Sequence, residues 1–307
     1  MHKFIIICFF SISFSLFGFD EVYLNQIIKE WEESKKNSAI VLITNPFSGR
    51  IEFVYNAKDA FYKKLPPGSI LKPLSALTLL SQNDTKDKDT SFICKGKFWE
   101  PKENFFTRSD YKNFNILEDK ESGKKYLKCS TEAGHGEINL REAISYSCNV
   151  FFLTKIFKSK NLFYSSFVRD WNLFEGTGAS FERISVSNFN DKIPNSPLES
   201  MLSGIGEDGK IKVTALKVAQ IFGAIFANTP FLKPIQKGET PEQVYPFPYS
   251  EKYRNIILQG LREAVKNGTL SDINLIKNNV QILGGKTGSP TREGKKYSTH
   301  GWSIIFF

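Results

Sequence analysis

Leu65-Pro66-Pro67-Gly68-Ser69-Ile70-Leu71-Lys72-Pro73 is the stretch from which the rest of the chain is read. A Pro-Pro-Gly turn delivers a serine to a helix start, and Leu74, Ala76, Leu77, Leu79 and Leu80 continue an apolar helix. Pro73 falls in the first turn, where a missing N–H costs nothing. Ser69 and Lys72 are three apart and share a helix face. A serine hydroxyl becomes a nucleophile only when a base takes its proton. A lysine serves as that base when burial lowers its pKa. Two other Ser-x-x-Lys spacings, Ser109 to Lys112 and Ser122 to Lys125, lie in polar, Lys-rich sequence and read as solvated loop.

Outward from this stretch, two further groupings bear chemistry. Ser147-Cys148-Asn149 offers a hydroxyl that can relay a proton and an amide that can hold a peptide group. Lys286-Thr287-Gly288 offers a cation and a hydroxyl for a carboxylate, with a glycine that lets backbone approach closely.

The flanking sequence predicts an α+β fold. Residues 39–43 and 51–55 read as a hairpin around Asn45-Pro46-Phe47-Ser48-Gly49. Residues 280–289 and 301–307 read as strands, and helices fill the interval. Thr214 is a credible N-cap for a helix over 216–226, and Asn267-Gly268 ends another over 251–266. Residues 81–136 turn polar and read as a long surface excursion closed by Gly134-His135-Gly136. The expected architecture is one antiparallel sheet built from both chain ends, with a helical lobe inserted.

The chain has 307 residues, 41% of them hydrophobic, enough for a sizeable core. Lys+Arg 41 minus Asp+Glu 32 leaves +9. That balance suits an anionic neighbourhood such as a membrane surface or acidic wall polymers. The positive charges are scattered and carry no nucleic-acid motif, so no nucleic-acid partner is expected. Lys3 precedes an apolar run from Phe4 to Phe19, followed by Asp20 and Glu21. This pattern reads as an export signal or anchor over residues 1–19, placing the remainder in the periplasm or on the outer face of the membrane. Residues 20–37 then read as an amphipathic helix or tether, and 38–307 as the main domain. Cys94, Cys129 and Cys148 follow the signal, and Cys94–Cys129 is the expected disulfide. With only His135 and His300 besides, and no paired ligand spacing, no metal site is expected.

Taken in order, Ser69-x-x-Lys72, Ser147-Cys148-Asn149 and Lys286-Thr287-Gly288 resemble the three motifs of the transpeptidase domain of penicillin-binding proteins, relatives of the serine β-lactamases. The flanks at Pro66-Pro67-Gly68, Gly134-His135-Gly136, Ile205 to Ala219, Gly268-Thr269 and His300-Gly301-Trp302 resemble that family too, over about residues 39–307. The resemblance implies that Ser69 attacks a D-alanyl-D-alanine stem peptide and that Lys72 takes its proton. It further implies that Ser147 passes a proton to the leaving amine, while Asn149 holds a substrate amide. Lys286 and Thr287 would bind the terminal carboxylate beside Gly288. The N–H groups of Ser69 and Ser289 would form the oxyanion hole. No cofactor is implied. Implied partners are peptidoglycan stem peptides, β-lactams as inhibitors, and a glycosyltransferase or other cell-wall synthase. Alternative expectations are a serine β-lactamase of class D type and a non-catalytic penicillin-sensing domain. In the family a further strand and a terminal helix follow the position of Phe307, so the sheet is expected to have a gap, which residues 21–37 could partly fill.

Overall fold

A computed structural model of the chain describes residues 4–10, 20–82, 91–159, 162–182, 193–272, 281–292, 295–298 and 300–307, with backbone alone for 4–10, 162, 291, 292 and 295–298. Its centre is a five-stranded sheet. The strands run, edge to edge, Gly284–Gly288, His300–Phe306, Phe4–Phe10, Ser38–Thr44 and Ile51–Tyr55. Helices and smaller sheets fill the interval between its two halves, giving the α+β class expected.

The two outer pairs are antiparallel, as a hairpin and a returning strand require. Between them, Phe4–Phe10 pairs parallel to both neighbours. Phe4 aligns with His300 and Ser38, and Phe10 with Phe306 and Thr44. This is where the family resemblance predicts a gap. The apolar run read as an export segment therefore supplies a central strand, and residues 21–37 do not occupy that place. Two facing strands with unpaired N–H and C=O groups accept an apolar, β-branched segment readily. Residues 1–3 and 11–19 of the segment lie outside the described residues.

Glu21–Lys35 instead forms an α-helix, its N-terminus capped by the Asp20 carboxylate on Tyr23 N–H. Leu24, Ile28 and Trp31 recur at helical spacing and pack on Ala39, Val41, Ile43 and Phe53, the outward face of the sheet. Full burial of such a side chain contributes about 1.5–3 kcal/mol, and these half-buried ones less. Glu32 ties helix to sheet by accepting from Ala39 N–H at 2.6 Å and Tyr55 O–H at 2.8 Å.

The opposite face carries the main core. Ala215–Ala227 packs across Phe4–Phe10 and Ser38–Thr44, its first turn capped by Thr214 as expected. Lys72–Gln82 runs through the middle of the core, with every residue from Lys72 to Leu80 buried. Glu251–Lys266 lies against Gly284–Gly288 and Leu140–Ser145. The expectation of an irregular surface excursion over 81–136 is corrected. Residues 92–94, 97–99, 117–118 and 125–128 form short strands, and Cys94, Phe98, Phe105, Phe106, Leu127 and Cys129 are buried in the main core. Strands of two to four residues are too brief to show a period in sequence. Residues 83–90 lie outside the described part.

Candidate active site

Ser69 sits in a 3-10 turn, Gly68–Leu71, that runs directly into the Lys72–Gln82 helix. The approach is held from two sides. His300 Nε2 and Trp302 Nε1 lie 2.8 and 2.9 Å from the Pro66 carbonyl oxygen, and the tryptophan N–H donates to it. Gly68 N–H donates to Gly206 O at 3.2 Å. Gly206 has φ +74, and a Cβ there would stand 2.2 Å from Gly68 O, so only glycine lets the two turns touch.

The Lys72 amine points back at the serine. Its Nζ lies 2.9 Å from Ser69 Oγ, 2.6 Å from Ser147 O, 2.6 Å from Asn149 Oδ1 and 3.1 Å from Ser147 Oγ. A neutral lysine amine has two N–H groups and one lone pair. The two shortest contacts are to pure acceptors and take the N–H groups, which leaves the lone pair for a hydroxyl proton. Lys72 has no exposed surface. Burial lowers its pKa to about 8.

Ser147 bridges the two lysine amines, since Lys286 Nζ lies 3.0 Å from its Oγ. Its backbone is left-handed, at φ +59, unusual for a residue with a side chain. Two features hold it there. Leu140–Ser145 starts with a reciprocal Asn139–Glu142 capping box, and Asn149–Lys158 starts with Cys148 accepting from Phe151 N–H. Lys286 is also fully buried, and burial followed by the charge of Lys72 lowers its pKa well below the ordinary lysine value. Its strand runs in the register Lys286 opposite Ile304. Thr287 Oγ1 donates to Thr269 Oγ1 at 2.9 Å. The Cβ direction of Gly68 meets Pro290 N at 2.8 Å, so the Ser289–Pro290 peptide lies beside the Ser69 turn. Ser69, Ser147, Asn149, Thr287, Gly288 and Ser289 help to line a cleft of about 1030 Å³, with the two buried lysines beneath it.

The profile of the penicillin binding protein transpeptidase domain matches residues 32–307. The chain belongs to the penicillin-binding protein transpeptidase family. Among solved structures, the transpeptidase domain of Burkholderia pseudomallei penicillin-binding protein 3 superposes with a TM-score of 0.65 at 16% identity, over 91% of this chain and 77% of that one. Helicobacter pylori penicillin-binding protein 2 gives 0.56 at 17%, over 78% and 46%. A peptidoglycan synthase complex described as coordinating polymerization and crosslinking gives 0.59 at 20%, over 83% and 46%. This chain thus spans under half the length of that synthase chain. No curated protein matches it.

The eight residues expected from the sequence are all brought to this one cleft or its floor. Sequence reasoning missed the roles of Thr269, His300 and Trp302, whose contacts cross the fold. It also misjudged the cysteines. Cys94 and Cys129 are free thiols with sulfurs 3.8 Å apart, so the expected disulfide is not formed. Cys94, Cys129, His135 and Cys148, which show no paired ligand spacing along the chain, come together in space. No described helix is long and apolar enough to cross a membrane.

Proposed function

We propose that this chain is a D,D-transpeptidase that cross-links peptidoglycan stem peptides through an acyl-enzyme on Ser69. The observation that carries the reading is the Lys72 amine, buried and 2.9 Å from Ser69 Oγ, with its N–H groups committed elsewhere. Lys72 takes the hydroxyl proton as Ser69 Oγ bonds to the penultimate D-alanine carbonyl carbon. The carbonyl oxygen, now negative, is stabilised by the N–H groups of Ser69 and Ser289; loss of one such donor costs about 10²–10³ in rate. The proton passes by way of Ser147 Oγ to the terminal D-alanine nitrogen as the C–N bond breaks. Asn149 holds the donor peptide amide, and Lys286 with Thr287 holds the terminal carboxylate. An amine from a second stem peptide then displaces Ser69 and forms the cross-link. Water in its place would give carboxypeptidase action.

Such a substrate lies outside the cytoplasm, and we assign the site to the outer side of the membrane. A glycan-polymerising synthase is the natural partner, since cross-linking requires fresh strands. β-Lactams would acylate Ser69 in place of the stem peptide.

Incubating the full chain with a stem pentapeptide and an amine acceptor tests the reading by mass spectrometry. Loss of one alanine with formation of the cross-linked product supports it. Rapid, repeated hydrolysis of a chromogenic β-lactam with no peptide product would reassign the site to a β-lactamase. No acyl adduct with either compound on folded protein would leave a sensor or a silent domain.

A further inference from the structure

The acyl-transfer chemistry leaves one cluster of nucleophilic side chains unused. The ligand atoms of Cys94, Cys129, His135 and Cys148 all lie within 4.8 Å of one another. Cys129 Sγ is 3.8 Å from Cys94 Sγ, 3.7 Å from Cys148 Sγ and 3.5 Å from His135 Nδ1. A disulfide would hold two sulfurs about 2.05 Å apart and leave the third sulfur and the imidazole unexplained. Tetrahedral zinc, with Zn–S near 2.3 Å and Zn–N near 2.0–2.1 Å, has S···S edges of about 3.8 Å and S···N edges of about 3.5 Å. The three separations from Cys129 Sγ match those edges, and the remaining ones stay within 4.8 Å. Three sulfurs and one imidazole nitrogen are a zinc donor set.

We propose that Cys94, Cys129, His135 and Cys148 bind a zinc ion in a closed Cys3His site that braces the Ser147–Asn149 motif.

The surroundings are built for it. Cys94 ends the Phe92–Cys94 strand, Cys129 follows the Lys125–Lys128 strand, and Cys148 caps the Asn149–Lys158 helix. All three thiols are buried. His135 lies in the turn between Gly134 and Gly136. Gly134 has φ +81, and a Cβ there would meet Cys94 O at 2.1 Å, so glycine alone lets this turn close over the Cys94 strand end. The other imidazole nitrogen, Nε2, lies 3.4 Å from Thr131 Oγ1, the kind of partner that orients a ligating histidine. The ring stacks on Tyr146 at 5.8 Å and 5°. Phe151 N–H donates to Cys148 Sγ at 3.4 Å, which suits a ligating sulfur.

The consequence for the active site follows from Cys148 alone. It stands between Ser147, whose left-handed backbone carries the Oγ shared by Lys72 and Lys286, and Asn149, which accepts from Lys72. An ion at Cys148 would pin that turn to two strands far away in sequence. It would also hold together short strands with little core of their own, where a structural metal contributes folding energy outright. Only the bracing role rests on the acyl-transfer reading. The ion site stands without it, and the experiment separates them.

The full chain, carrying Cys8→Ser so that the thiol count is unambiguous, would be prepared under reducing conditions and loaded with zinc or cobalt. Elemental analysis should find one zinc per chain. The cobalt form should show the visible absorption of a tetrahedral thiolate site. Cys94→Ser and His135→Ala should each lose most of the bound zinc and alter the cobalt spectrum. Should those variants fail to fold, the unsubstituted ligand set still decides through its stoichiometry and spectrum. A folded chain that stays metal-free after loading would overturn the proposal. So would an intact mass two hydrogens light, with a disulfide mapped among the three cysteines. Stripping the zinc should slow labelling by a fluorescent penicillin at least about tenfold, with recovery on reloading. Full binding with unchanged labelling would overturn the bracing role alone. Full binding with no labelling in either state would count against the acyl-transfer reading and leave the ion site in place.

Discussion

The Nζ of Lys72 lies 2.9 Å from the Oγ of Ser69, in a lysine with no exposed surface. A base this close can accept the hydroxyl proton without moving, and burial provides the neutral form that can do so. Lys72→Ala should slow acylation by a β-lactam by about 10²–10⁴, the usual contribution of a positioned base. Stopped-flow or gel-based labelling rates measure this. A loss under tenfold would mean that another group takes the proton.

Acylation should also depend on pH in a set direction. Burial brings the Lys72 pKa down from 10.5 to about 8, and only the neutral amine accepts a proton. The rate should therefore climb with pH from 6 and level off above about 8. A rate that falls across this range would contradict the assignment of Lys72 as base.

Asp208 lends the cleft a pH-dependent stability. It is buried, its Oδ2 has no hydrogen-bond partner, and burial raises its pKa from 3.8 to about 7. A raised carboxyl pKa means that the folded state favours the neutral form. Its contribution is fully present below pH 3.8 and is lost as pH rises through about 7. Three units correspond to at most about 4 kcal/mol. Asp208→Asn should raise the melting temperature at pH 8 and change it little at pH 4. Equal shifts at both would show that ionisation is not the cause.

Phe4–Phe10 is bonded on both sides, to His300–Phe306 and Ser38–Thr44. Ile7→Pro, which removes a ladder N–H from a central strand and leaves its carbonyl partner unpaired, should cost about 1–3 kcal/mol and promote aggregation. Deleting residues 1–19 should do the same. An unchanged melting temperature and a soluble monomer in both would show that the folded domain does not use this strand, as an export segment requires.

How much was legible in the sequence depended on whether the relationship was local. Ser69 and Lys72 sit three residues apart where a 3-10 turn runs into a helix, and Ser147 and Asn149 flank one turn, so each pair was legible locally, with the apolar helix behind Ser69 setting it apart from the two other Ser-x-x-Lys spacings. Thr214 capped its helix as its residue type suggests. The zinc ligands are 35, 6 and 13 residues apart along the chain. Nothing in such spacing marks a site, and only the folding of short strands onto the Cys148 turn assembles it. Phe4–Phe10, read from the sequence as part of an export segment, takes its place in the sheet for a related reason. An apolar run of this length has the same composition whether it crosses a translocon or lies in a sheet, and its partners are at positions 38–44 and 300–306.

Covalent labelling tests the central claim most directly. The full chain and its Ser69→Ala variant would be incubated with a fluorescent penicillin, and the adduct weighed and mapped by mass spectrometry. The account predicts a single stable adduct on Ser69 in the parent and none in the variant. A folded parent that takes no label, or a label that persists in Ser69→Ala, would contradict it.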